Sequence, residues 1–194
     1  MASVVEICNG ALIALGTLTI NSLDDEVESA RLCSSKYDHV RDLVLEAHPW
    51  NCATARAQLP ASDEAPVFGW SLAYPKPADC LKVRSVHPTT DTKYRLEPGE
   101  FSVEGGSILS NDGPPLFIVY TRRVTDPNLM STLLREAISA RLAMELSEAF
   151  SQSQTMTNLL AQMYEAKIKN ARFVDGQESP QQVERSCEWV EVRR

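Results

Sequence analysis

The chain has no excess of positive charge. Its 194 residues hold 19 Lys and Arg against 26 Asp and Glu, a net charge of −7, and its isoelectric point lies near 5.0. A surface that grips nucleic acid neutralises phosphates with clustered Lys and Arg, so the composition speaks against that class. A negative wall repels phosphates and lets DNA slide past. Paired cysteines are missing too. Cys8, Cys33, Cys52, Cys80 and Cys187 are odd in number and widely spaced, with no CxxC. That pattern argues against a disulfide framework and a zinc site, and buried, inert thiols in a reducing compartment are the expectation. No apolar run approaches the roughly 18 residues that a membrane span needs. Glu6 stands near the start and no basic segment precedes the first apolar run, so no signal peptide is expected. A GxGxxG opening a helix, a P-loop, HExxH and GxSxG are all absent.

What is present reads as one domain, or one domain with a subdomain. A hydrophobic fraction of 43% and a charged fraction of 23% suit an ordinary soluble globule. From Ser3 to Leu15, apolar residues at Val4, Ile7, Cys8, Ala11, Leu12 and Leu15 have helical spacing, and Gly16 is placed as a stop. A second helix is expected from Ser22 or Asp24. Ser22 and Asp25 resemble a capping box, and Asp24, Asp25 and Glu26 complement the helix dipole. Its apolar stripe runs Val27, Ala30, Cys33 or Ser34, Tyr37, Val40 or Arg41, Val44 and Ala47, with Arg31, Lys36, Asp38, Arg41 and Asp42 expected to face water. Pro49 ends it, because the residue before a proline avoids the α region.

Residues 51–125 change character. Eight prolines punctuate short runs that read as strands: 80–84, 93–97, 101–104, 107–110 and 116–124. Gly105-Gly106 and Asn111-Asp112-Gly113 carry hairpin turn chemistry. The expectation is a small antiparallel sheet of about four to six strands. Asp126-Pro127 then opens a third helix, with Asp as N-cap and Pro at the first helical position. A fourth helix is expected over 155–173, its stripe formed by Leu159 with Leu160, Met163, Tyr164 with Ala166, Ile168 and Ala171. The fold class is α+β: a bundle of about four helices, 1–50 and 126–175, with a β domain inserted at 51–125. Residues 176–194 read as a tail, flexible unless docked on a partner; the alternating Cys187–Val192 suits strand addition to such a partner.

The residues that carry chemistry elsewhere have structural readings here. His48 near Cys52 and Cys33 suggests a metal or a Cys-His pair, but a His at the C-terminus of a helix is also favoured by the dipole. Glu97 and Glu100 flank a Pro98-Gly99 turn; as paired carboxylates they would serve a glycosidase. Trp50, Trp70 and Tyr74 make either a stacking platform or core anchors. Lys82, Arg84, Arg122 and Arg123 form either a solvated sheet face or an ion-pairing surface for a neighbouring subunit. No catalytic, cofactor-binding or metal-binding residue is expected.

Several segments together resemble a family. They are Ala11-Leu12-x-x-Leu15-Gly16, Ile20-Asn21-Ser22-Leu23-Asp24-Asp25, and Tyr37-x-x-x-Arg41-Asp42-x-x-Leu45-x-x-His48-Pro49-Trp50-Asn51-x-Ala53. Phe68-Gly69-Trp70, Tyr74-x-x-Pro77-Ala78-Asp79-Cys80-Leu81-x-Val83 and Asp126-Pro127 follow. The chain is similar in these segments, nearly throughout to about Phe173, to the tail tubular protein A family of short-tailed bacteriophages. Those proteins are adaptors, or gatekeepers, between portal and tail nozzle. Lys76 departs from the family pattern, which usually has Leu before the Pro-Ala-Asp.

The resemblance implies a helical bundle with an inserted β domain, no catalytic residue, and a virion-tail location after assembly in the host cytoplasm. Its implied partners are further copies in a ring of commonly twelve, the portal protein, the nozzle protein (tail tubular protein B), and double-stranded DNA passing through without sequence-specific binding. A closing ring needs a heterologous interface, and Arg31, Lys36 and Arg41 against Glu145, Glu148 and Glu165 are the expected contacts. Trp189, Val190, Arg193 and Arg194 are the candidates for docking on the portal, and His48, Pro49 and Trp50 for locking bundle to sheet. The rival expectations are a tail-associated cell-wall or polysaccharide hydrolase, with Glu97 or Glu100 as acid, and a DNA-binding regulator built on the helices.

Overall fold

A computed structural model describes residues 2–151 and 153–178. The first helix, α1 (Val4–Ala14), begins where the Ser3 hydroxyl accepts a hydrogen bond from the Glu6 N–H. It ends as the sequence implies. Gly16 takes φ 72°, its N–H donates to Ile13 O, and the Thr17 N–H donates to Leu12 O, the two bonds that close a Schellman motif. Asn9 then pins the outgoing loop by bonding both the N–H and the C=O of the buried Ile20.

The second helix, α2 (Glu28–Glu46), starts later than expected. The side chains that looked like a capping box fold a tight turn instead. Asp25 Oδ2 accepts from the N–H groups of Asn21 and Ser22, and the Ser22 hydroxyl accepts from the Asp24 N–H. Such local bonds compete with helix formation, so Val27, half exposed, becomes the N-cap.

The β region is two three-stranded antiparallel sheets rather than one. The strands are β1 (Thr54–Leu59), β2 (Leu72–Pro75), β3 (Cys80–His87), β4 (Phe101–Glu104), β5 (Ser107–Ser110) and β6 (Leu116–Arg122). One sheet has the order β1-β6-β3, the other β2-β5-β4. They share one core: Leu59, Val86, Ile118 and Tyr120 from the first sheet meet Tyr74 and Ile108 from the second. The strand expected at 93–97 is absent. That segment is a loop joined to β3 by Leu96 N–H to Val86 O, and Leu96 plugs the core.

The chain returns to the bundle at Asp126, whose carboxylate caps a 3₁₀ turn (Pro127–Leu129) by accepting from the Asn128 N–H. The long helix α3 (Thr132–Ser151) begins only after it, with Ser131 Oγ accepting from the Leu134 N–H. Helix α3 is the hub of the bundle and packs against α1, α2 and α4 (Gln154–Glu178). At α1 the approach is close: a Cβ on Gly10 would lie 2.6 Å from Ser139 Oγ. Helix α4 runs through Gly176 to Glu178, past the expected end at Phe173. It buries Leu160, Tyr164, Ile168 and Ala171; Leu159, Met163 and Ala166, expected on the same stripe, face outward.

Candidate functional site at the helix–sheet junction

The His48-Pro49-Trp50-Asn51 segment carries the chain from bundle to sheet, and its side chains are all engaged there or solvent-facing at Pro49. Trp50 is 1% exposed. Its indole Nε1–H donates to Val44 O at 2.9 Å, satisfying one of the last four carbonyls that α2 leaves open. The His48 ring meets the Trp50 ring edge-on, with centroids 4.7 Å apart. The Thr54 hydroxyl donates to Trp50 O and starts β1 from the same turn.

A second element closes on this segment from the far end of the chain. Asp175, near the end of α4, places Oδ2 3.4 Å from His48 Nε2. Its carboxylate accepts from the Asn51 N–H, and its C=O accepts from Asn51 Nδ2 at 2.7 Å. Residues 48, 51 and 175 thus form a polar clamp that fastens α4 to the junction. His48 is directed at Asp175 rather than at the carbonyls of α2, so its expected capping role falls to Trp50. Burial holds the His48 pKa below its ordinary value. Asp175 pulls it up, and the positive charges of Arg172 and Arg84 push it down again.

Around the clamp the sheet supplies cations. Arg84 Nε donates to Thr121 Oγ1 at 2.7 Å, and burial lowers its pKa. Arg84 Nη2 and Arg122 Nε are both buried without a hydrogen-bond partner. The neighbouring Cys52 is pushed up to about 11 by burial and then by Asp175. That favours the thiol and works against a nucleophilic thiolate. Cys33 lies elsewhere, fully buried with Cys8 in the bundle core, where a hydrogen bond to Cys33 and burial raise the Cys8 thiol. Among the described residues no group of three His, Cys, Asp or Glu is arranged to hold a metal ion.

The charged residues expected at a subunit contact divide. Arg41 does not face water: it is 5% exposed, its Nη1 pairs with Asp38 at 2.7 Å and its Nη2 with Asp42 at 2.8 Å, and its guanidinium lies over the Tyr37 ring. Asp42 also takes Arg123 Nε at 2.7 Å, tying the exit of β6 to α2. Glu145 is bonded by Arg141 at 2.6 Å. Arg31, Lys36, Glu148 and Glu165 are exposed. Trp189, Val190, Arg193 and Arg194 lie outside the described residues.

The carboxylates weighed as acids are turn residues. Glu100 Oε2 accepts from the Glu97 N–H at 2.7 Å while the Glu100 N–H donates to Glu97 O, around Gly99 at φ 102°. The three aromatics do not make a platform. Trp50 belongs to the bundle core and Tyr74 to the β core, where its hydroxyl donates to Asp112 O; Trp70 is half-buried. Asp175 carried no signal in the sequence, because its partners lie more than 120 residues away. Asn51 stood inside the distinctive HPWN segment. Comparison with protein-family models finds no match, and comparison with curated proteins finds none either.

Proposed function

We propose that this chain is a structural virion protein: an adaptor ring joining portal to tail nozzle in a short-tailed phage and extending the DNA ejection channel. The observation that carries the reading is the layout. A helical bundle is interrupted at His48-Pro49-Trp50 by a β domain and resumes at Asp126-Pro127, the organisation that the sequence resemblance implies. The acidic balance suits a wall that DNA passes without being gripped. The buried aromatics, turn-bound carboxylates and raised Cys52 thiol all have structural roles, which fits a molecule that works through its surfaces.

With Arg41 buried against Asp38 and Asp42 and Glu145 paired along α3 with Arg141, the expected subunit contact narrows to Arg31 and Lys36 against Glu148 and Glu165. Light scattering after size exclusion, on the chain alone and mixed with its portal, tests the reading. A closed ring of this chain on the portal supports it. Failure to join any ring with portal supplied, or turnover of a cell-wall polymer lost on Glu97→Gln or Glu100→Gln, overturns it.

A further inference from the structure

Strand β1 ends its sheet and leaves an open edge. It is outermost in the order β1-β6-β3, and among the described residues no backbone group of 55–59 bonds to any strand but β6. Neither a proline nor a bulge blunts that edge, the usual means of keeping further strands away. The outer edge of β3, by contrast, bends through two register shifts and takes the Leu96 N–H at Val86 O. On the solvent face beside β1 lies a cavity of about 280 Å³, with Arg56, Gln58, His87, Thr92, Phe117 and Val119 in its lining. Phe117 stands opposite Gln58, and Val119 opposite Arg56. Arg56 is exposed and has no ion-pair or hydrogen-bond partner among the described residues. On the other face Ala55 and Ala57, half-buried, sit at the margin of the β core.

We infer that residues 187–192 of the same molecule add to this edge as a short antiparallel strand, with Trp189 seated in the cavity and Glu191 paired to Arg56. The sixteen residues after Glu178 lie outside the described residues, and the place from which they leave is what selects β1. Asp175 accepts from both the N–H and the Nδ2 of Asn51, three residues before β1 opens at Thr54. Residues 179–186 span at most about 28 Å when extended, and the six residues of β1 occupy about 20 Å. The linker is therefore long enough to pass Leu59 and turn back along the edge. Glu191 opposite Arg56 sets Trp189 opposite Gln58, over Phe117, and brings Val190 and Val192 beside Ala57 and Ala55 on the core side. A slip of one residue would turn Glu191 toward the core. Trp189, Val190 and Val192 also favour extended backbone. A short tether holds the segment near β1 at an effective concentration in the millimolar range, which a second copy in dilute solution does not match. A portal that engages Trp189 and Val190 must first lift them from β1. The added strand stands whether or not the chain forms a collar, so it is tested separately.

Amide hydrogen exchange on the full-length protein, read by mass spectrometry, is the measurement. Residues 187–192 should exchange at least about tenfold more slowly than the same sequence as a free peptide, at a rate that holds over about a hundredfold range of protein concentration. Val190→Pro removes a donor from the added strand. It should return 187–192 to the free-peptide rate and speed exchange within 54–59, while the exchange of α3 stays unchanged and reports an intact fold. Glu191→Arg should act in the same direction, and Arg56→Glu/Glu191→Arg should restore the slow rate. Exchange of 187–192 at the free-peptide rate, or slow exchange indifferent to Val190→Pro and to the charge reversals, overturns the inference. Slow exchange that appears only where light scattering detects self-association assigns the strand to a second copy and overturns it as well.

Discussion

The indole of Trp50 fills the base of the bundle and takes the Val44 carbonyl, so one side chain ends a helix and starts a sheet. Trp50→Ala should therefore cost about 3–5 kcal/mol, the range for emptying a buried aromatic site. Trp50→Phe should cost less, chiefly by leaving Val44 O unbonded; urea midpoints of the two variants measure the difference. Arg41 presents the same lesson in charge. Arg41→Ala removes the cation shared by Asp38 and Asp42, and about 2–3 kcal/mol of folding stability should go with it. The same measurement reads that loss in the isolated protein, before any assembly is asked for. His48 adds a pH dependence. Its folded pKa lies below its unfolded value near 6.5, chiefly through burial. Folding therefore favours the neutral ring, and the contribution is fully present above about pH 6.5 and lost as pH falls through the depressed value. Urea midpoints between pH 5 and 8 should fall on the acid side, and His48→Gln should flatten that slope.

Elements were legible where a period and a local stop agreed. Helix α1 has both, a stripe of four buried residues and Gly16, and it lies within one residue of its expected limits. The start of α2 misled because Ser22, Asp24 and Asp25 serve a capped turn as well as they serve a helix, and only three-dimensional context chooses between them. Strands β1 and β2 left little trace: TARAQL and LAYP are short, and their burial comes from partners far along the chain. In the sequence the outward stripe of α4 merges with the inward one because both are apolar. Asp175 was invisible for the same reason as the strands, since its clamp joins residues remote in sequence. The crossing of α1 and α3 is a further feature that no local signal marks. Gly10→Ala improves helix propensity by about 1 kcal/mol but sets a methyl against Ser139 Oγ. The double variant Gly10→Ala/Ser139→Ala should therefore melt higher than Gly10→Ala alone, and equal melting temperatures would mean that the hydroxyl simply rotates away.

At the scale of the molecule, two cores are joined by several contacts. The bundle core and the β core are separate clusters, and the links between them include Arg123 to Asp42, the Trp50 turn and the packing of α2 on β3. A molecule of this kind can present its helices to neighbouring copies while its sheets make other contacts, which is what a collar requires. Internal pairing limits which charges are available for those contacts. Arg41 is buried in its pairs, and reversing it would damage the fold before it touched assembly; Arg123 and Glu145 are held in more exposed pairs. Arg31, Lys36, Glu148 and Glu165 are exposed and can be reversed at little cost to the monomer. If their attraction closes the ring, Arg31→Glu/Lys36→Glu should prevent assembly, and so should Glu148→Lys/Glu165→Lys. An equimolar mixture of the two variants would then form only mixed pairs at the altered contact, because each variant alone sets like charge against like. A four-site reversal within one chain restores opposite charge at every interface and should recover the ring. Native mass spectrometry reads all four samples, and full rings from either double reversal alone would remove these residues from the subunit contact.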